Sequence, residues 1–334
     1  MRLKLILAIV SLFMIFPLFA KETNEDKIIV AYVTHSSQVI PDPTKMTHIN
    51  YAFGRIDDSL KKLLIPNPSR LRQIVALKKY NPNLKVLLSV GGSYECNFSA
   101  MAANPKLRAE FVKSCKNAVK KYKLDGIDLN WEFPTLNLKG KPGSKNDIDN
   151  FTTLVKEMRK ALGNKKLLTT ASTWRCKYMD YPAITPYLDY ISVMAYNMGT
   201  PPKLQTSLYR SSKSGNGTAS EAVEKHIKAG VPRSKIVLGI PFYGLGTYGR
   251  LKYCSYGQIG KPKDTKEGWD NVAKAPYLTD KKGNVVFSYD NPKSIAIKCK
   301  YIKDQNLRGA MYWQYADDNA RGDLRNAVYN GIMK

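Results

Sequence analysis

The sequence has 334 residues, 43% of them hydrophobic and 24% charged, which excludes a fibrous or disordered chain and leaves either two average domains or one large α/β barrel. Its 53 Lys and Arg against 27 Asp and Glu give a formal net charge of +26, so anionic neighbours such as an acidic glycan or the cell envelope are expected. The lysines are spread through the chain without a helix-turn-helix, zinc finger or basic arm, and no nucleic-acid partner is expected.

The chain opens with two cations, Arg2 and Lys4, then an apolar run from Leu5 to Phe19, Ala20, and an abrupt polar stretch from Lys21 to Asp26. A short apolar core behind cations, ending on a small residue, describes a secretory signal peptide over residues 1–20. The run falls short of the ~20 residues a membrane-spanning helix needs, and no later stretch is long and apolar enough to span. A secreted or periplasmic protein is expected, with residues 21–334 as its folded domain.

From there short apolar runs alternate with longer amphipathic ones, the pattern of a parallel sheet built from βαβ units. Strands are predicted over Ile28–Val33, His48–Phe53, Lys85–Val90, Gly126–Glu132, Leu167–Ala171, Tyr190–Tyr196, Ile236–Pro241 and Gly309–Trp313. Helical patterns fall between them, over Pro68–Lys79, Lys106–Tyr122, Asp147–Leu162, Ala219–Ala229 and Pro292–Lys303. No linker or repeat interrupts the spacing, so the prediction is a single (β/α)8 barrel of the α/β class. The segment from Gly244 to Tyr289 is long and rich in Gly, Lys and Tyr, with Asn284 to Tyr289 able to form a small strand, and reads as an elaborated loop after the seventh strand. The five cysteines allow a Cys96–Cys115 or a Cys254–Cys299 bridge, with buried free thiols as the alternative, and show no CxxC metal spacing.

Active-site residues of such barrels sit at the C-terminal ends of the strands. The fourth strand reads Gly126-Ile127-Asp128-Leu129-Asn130-Trp131-Glu132. Alternation puts Asp128, Asn130 and Glu132 on one face and Ile127, Leu129 and Trp131 on the other. The apolar set can cover the helices; the polar row then points into the barrel with Glu132 at the rim. Burying such a row is costly unless it is hydrogen-bonded and functional.

With Asp125, this stretch resembles the Asp-Gly-x-Asp-x-Asp-x-Glu hallmark of family 18 glycosidases, the chitinases and endo-N-acetylglucosaminidases. Ser89-Val90-Gly91-Gly92 on the third strand matches that family's Ser-x-Gly-Gly, Met194-Ala195-Tyr196-Asn197 on the sixth its Met-x-Tyr-Asp, and Gly309 to Trp313 its terminal tryptophan motif. The resemblance covers nearly the whole chain after the leader. It implies retaining, substrate-assisted hydrolysis of β-1,4 linkages between N-acetylglucosamine units, with Glu132 as general acid and then base, and Asp128, Asn130 and Tyr196 as its catalytic partners. Trp313, Met194, Asn197, Phe53, Tyr243 and Trp174 are expected to meet the sugar, with Tyr32, Ser89, Gly91, Gly92 and Asp125 in support.

The implied partner is an N-acetylglucosamine-containing oligo- or polysaccharide, acted on by a monomer. The implied chemistry needs no cofactor or metal, and His35, His48 and His226 offer no histidine-rich metal site. Among the other aromatics, Tyr51, Phe242 and Tyr315 are expected to be core. An open groove is expected because no large inserted wall is evident. Three departures matter: Asn130 and Asn197 stand where the family pattern has Asp, and Leu245 stands where many relatives place an Arg. An N-glycan endo-β-N-acetylglucosaminidase and a non-hydrolytic, lectin-like binder of chitin oligosaccharides therefore remain as alternative readings.

Overall fold

The structure, a computed structural model, describes residues 27–334 apart from 94, 96, 139, 248–251 and 261. The expected leader and Cys96 lie outside the described residues. Eight parallel strands close into a barrel: β1 (Ile28–Thr34), β2 (His48–Ile56), β4 (Lys85–Gly91), β5 (Gly126–Asn130), β6 (Leu167–Thr173), β7 (Tyr190–Met194), β8 (Ile236–Pro241) and β14 (Gly309–Trp313). A short β3 (Leu63–Leu64) pairs outside the ring with the end of β2. Closure comes from β1, which pairs with β14 on one side and β2 on the other.

The helices α1 (Pro68–Ala76), α2 (Phe98–Ala103), α3 (Pro105–Lys121), α4 (Asp147–Leu162), α5 (Tyr181–Ile184), α6 (Ala219–Lys228), α8 (Pro292–Asp304) and α9 (Asp323–Met333) surround this ring. Asn-Pro pairs start three of them. Asn67, Asn104 and Asn291 each accept a first-turn backbone N–H, and the following proline supplies the preset φ of the first helical position.

Two apolar layers follow from strand alternation. The outer layer holds Ile127, Leu129 and Trp131, and the indole of Trp131 stacks on Phe98 of α2 at 5.1 Å. The inner layer fills the barrel with Val30, Tyr32, Tyr190, Tyr196, Val237 and Met311. The opposite-facing Asp128 and Asn130 are buried inside, as the alternation requires.

The segment after β8 is itself folded. The strands β9 (Tyr243–Gly246), β10 (Tyr253–Ser255), β11 (Lys266–Asp270), β12 (Ala275–Thr279) and β13 (Val285–Ser288), with α7 (Tyr256–Ile259), form an antiparallel sheet in the order β10-β9-β13-β12-β11. It has an apolar cluster of its own around Leu278, Val286 and Phe287. The elaborated loop expected here is thus a five-stranded wall beside the barrel mouth, which corrects the expectation of an unwalled groove. Its anchor is a buried ion pair, Lys298 Nζ to Asp290 Oδ2 at 2.6 Å, with Thr206 and Ser294 completing the hydrogen bonding.

Neither cysteine bridge forms, since Cys115 and Cys299 are buried free thiols. They lie on the buried faces of α3 and α8, where a small apolar side chain is all the packing needs. No helix among the described residues is long and apolar enough to cross a membrane.

Candidate active site

The mouth of the barrel holds a cavity of about 210 Å³ lined by Tyr32, Phe53, Ser93, Asn130, Glu132, Ala171, Met194, Tyr196, Asn197, Tyr243, Tyr253, Met311 and Trp313. Eight of the expected site residues meet here: Glu132, Asn130, Tyr196, Asn197, Met194, Phe53, Tyr243 and Trp313, with Tyr32 at the back.

Strand β5 ends at Asn130, where its last pairing with Gly91 of β4 is made. The prediction carried that strand to Glu132, which instead sits two residues beyond, freed from the ladder to face the cavity. Burial raises its carboxyl pKa from 4.5 to about 7; a hydrogen bond from Asn130 lowers it, and the nearby Asp128 raises it. At neutral pH a substantial share of Glu132 is therefore protonated.

Asp128 lies one step deeper and is fully buried. Three hydroxyls converge on it: Tyr32 at 2.8 Å and Ser89 at 2.7 Å donate to Oδ2, and Thr169 at 2.6 Å donates to Oδ1. Burial raises its pKa while these donors lower it. Tyr32 and Ser89 were expected behind Asp128; Thr169 was missed, although its inward register on β6 was readable from alternation. Asn130 Oδ1, by contrast, is buried and has no hydrogen-bond partner among the described residues.

Gly91 and Gly92 explain why a third-strand Gly-Gly is needed. They adopt φ of +122° and +82°; a Cβ on Gly91 would stand 2.1 Å from the Asn130 carbonyl oxygen, and one on Gly92 would stand 2.6 Å from the Phe53 ring. The Gly92 N–H donates to that same carbonyl at 2.8 Å. Side chains here would push the β5 end and Phe53 out of place.

The aromatic walls are built in layers. Trp313 stacks on Phe53 with centroids 5.5 Å apart, and Tyr32 leans on Trp313 at 5.5 Å. Opposite, Tyr196 meets Tyr243 edge-on at 6.1 Å, and Tyr243 stacks on Tyr253 at 4.6 Å. The Tyr243 hydroxyl donates to Asn197 Oδ1 at 2.7 Å. Tyr253 belongs to β10 of the inserted sheet and no sequence pattern pointed to it. Its hydroxyl donates to Asp317 Oδ2 at 3.2 Å, and Ser255 donates to Oδ1 at 2.6 Å, so one buried carboxyl pins the inserted sheet to the barrel rim.

Two expected residues stand elsewhere. Trp174 is buried outside the cavity, flanked by the cations of Arg175 and Lys225, because the chain at Gly217 lies against its ring. Asp125 immediately precedes β5 at the opposite end of the barrel, where it accepts the Val86 N–H and pairs with Lys78. Tyr51, Phe242 and Tyr315 are core, as expected.

A model of the glycosyl hydrolases family 18 matches residues 28–318. Chitinase A1 of Niallia circulans is 28% identical over a stretch that takes in 94% of this chain and 60% of that protein, and chitinase B of Serratia marcescens is 26% identical over 92% and 80%. This chain thus spans about three-fifths of the first relative's length. Among solved structures, a glycoside hydrolase family 18 N-acetylglucosaminidase from Paenibacillus barengoltzii superposes with a TM-score of 0.83 at 31% identity, covering 91% of this chain and 99% of that one. The Group IV chitinase of Ostrinia furnacalis superposes with a TM-score of 0.83 at 27% identity, covering 92% and 100%. A closed barrel, an acid at the end of its fourth strand and a family match across nearly all described residues agree: the chain belongs to glycosyl hydrolases family 18.

Proposed function

We propose that this chain is a chitinase-like glycoside hydrolase that cleaves β-1,4 linkages between N-acetylglucosamine units, in chitin or chito-oligosaccharides, by a retaining, substrate-assisted route. The observation that carries this reading is a carboxyl with a pKa near 7, facing a cavity walled by aromatic rings. An acid of that pKa is protonated in a substantial share of molecules at neutral pH, and once it has given up its proton the same group can act as a base.

In the first step Glu132 donates its proton to the glycosidic oxygen as the bond to the anomeric carbon breaks. The carbonyl oxygen of the sugar's 2-acetamido group attacks that carbon from the other side, closing an oxazolinium ring. In the second, the Glu132 carboxylate takes a proton from water, whose oxygen attacks the anomeric carbon and reopens the ring with retention. Tyr196 holds the acetamido group by its hydroxyl, Trp313 stacks under the sugar, and the free Oδ1 of Asn130 accepts the acetamido N–H. Asn197 has its Oδ1 occupied by Tyr243, so its NH2 is the half that meets a substrate oxygen. Asp128 adds negative charge from below and stays in place through its three hydroxyl donors.

Asn130 also favours a second reading, a binder that holds N-acetylglucosamine oligomers without cutting them, because an amide brings no charge to the oxazolinium cation. Release of fluorophore from chitobiose and chitotriose substrates separates the two. Hydrolysis abolished in Glu132→Gln is the expected result; equal signal from parent and variant ends the hydrolase reading. Chitohexaose tested beside a high-mannose glycopeptide distinguishes chitin-type from N-glycan substrates.

A further inference from the structure

The end of the barrel opposite the cavity carries a charge pattern that the hydrolytic site does not use. The loops entering β4, β5 and β6 span residues 77–85, 120–125 and 160–166. They contain Lys78, Lys79, Lys85, Lys120, Lys121, Lys123, Lys160, Lys165 and Lys166, and one carboxylate, Asp125. Two of these lysines knit the loops together. Lys78 pairs with Asp125 and donates to the Lys123 carbonyl at 3.3 Å, and Lys166 donates to the Leu124 carbonyl at 2.6 Å. That consumes the only anion. The other seven lysines are exposed, and among the described residues no ion pair involves them. Between Lys79 and Lys85 stands Tyr80, 76% exposed, the most exposed large hydrophobic side chain among the described residues.

Seven uncompensated cations on three adjoining loops repel one another, and a fold keeps such an arrangement at a cost unless an anionic partner neutralises it. The loops all enter parallel strands from the same end of the barrel and their seven cations are exposed, so the matching partner is an extended anionic surface. A protruding tyrosine among lysines suits the interface of a bilayer, where the ring sits among the headgroups and the cations meet phosphates. We infer that the N-terminal face of this barrel docks on a membrane surface rich in anionic phospholipid, leaving the catalytic mouth turned toward the surrounding glycan. Docking of this kind is peripheral and electrostatic, and it weakens as salt shortens the screening length.

The test is co-sedimentation of protein expressed from the full chain with vesicles of phosphatidylglycerol and phosphatidylcholine, and with vesicles of phosphatidylcholine alone. The variant K79Q/K123Q/K165Q removes one exposed cation from each loop, and Y80S removes the ring; residues 1–26 are the same in all, so differences report the barrel face. The parent is expected to bind anionic vesicles only and to be released by about 0.5 M salt. At about fivefold per lysine, the triple variant should partition on the order of 100-fold more weakly. Circular dichroism confirms that each variant is folded, and Y80S, which touches no charge, serves if the triple variant is not. Equal partitioning of parent and variants overturns the inference, as does equal binding to neutral vesicles. Binding to soluble polyphosphate or nucleic acid without vesicle binding also overturns it, since the face would then serve a polymer.

Discussion

The burial of Glu132 has a consequence for stability that can be measured without any substrate. Its folded pKa stands near 7 against an ordinary 4.5, because leaving water disfavours the ionised form. A pKa raised on folding contributes stability that is fully present below about 4.5 and is lost as pH rises through about 7. At 1.36 kcal/mol per pH unit the full difference is about 3.4 kcal/mol, and the partial solvent contact of the side chain brings it nearer 2 kcal/mol. Glu132→Gln keeps the shape and removes the charge, so it escapes this loss. Urea unfolding of parent and variant should give similar midpoints at pH 4, diverge between pH 4.5 and 7.5, and hold a constant gap above pH 8, with the glutamine protein the more stable by about 2 kcal/mol. A gap that does not change with pH would refute the reasoning, because the carboxyl would then have the same proton affinity folded and unfolded. The same titration sets the alkaline limb of the proposed hydrolysis: kcat/KM should fall as pH rises through about 7, when Glu132 loses its proton.

The other expectations concern neighbours. Asn130→Asp removes an amide donor that lowers the Glu132 pKa and adds a like charge that raises it, so the alkaline limb of the pH–rate profile should move up by about one unit. The added charge should also raise kcat, on the order of tenfold or more; an unchanged or lower rate shows a site built around the amide. Lys298→Met strands the Asp290 carboxylate in a fully buried site and should cost about 3–5 kcal/mol in urea unfolding, with the D290N/K298M pair recovering much of it. A loss below about 1 kcal/mol for the single variant would mean that the pair does not anchor the inserted sheet.

Much of the barrel was legible because strand alternation and strand spacing are local signals. Every predicted barrel strand exists, and the division of β5 into Asp128 and Asn130 inward and Ile127, Leu129 and Trp131 outward follows from period two alone. Strand ends were less legible: β5 and β7 stop two residues earlier than predicted, where their ladders end, and this is what frees Glu132 and Tyr196 to turn into the cavity. The inserted sheet was legible only from Asn284 to Tyr289, where β13 lies, and the rest was hidden for a different reason. Its strands are three to five residues long, too short to carry a decisive period, and β9 against β13, the pairing that joins its two hairpin-connected parts, links residues distant in sequence. Tyr253 and Asp317 therefore escaped notice, since their meeting depends on that tertiary pairing. Trp174 shows the converse: an aromatic next to a strand end looks like a sugar platform until the contact with Gly217 and the cations around it are known.

The substitution at position 130 bears differently on the two halves of the proposed reaction. If like-charge neighbours were the main support of the acid, an amide beside Glu132 would leave it ionised and inert at neutral pH. Burial is instead the largest influence on Glu132, and Asp128, still a carboxylate, adds to it, while the Asn130 hydrogen bond only partly opposes them. Protonation of the leaving oxygen therefore survives the change. What the amide cannot supply is negative charge beside the oxazolinium, and the remaining carboxylate, Asp128, is held one step deeper by three hydroxyls. The deficit falls on forming and reopening the charged ring, and it is there that the free Oδ1 of Asn130 has to act as a dipole in place of a charge.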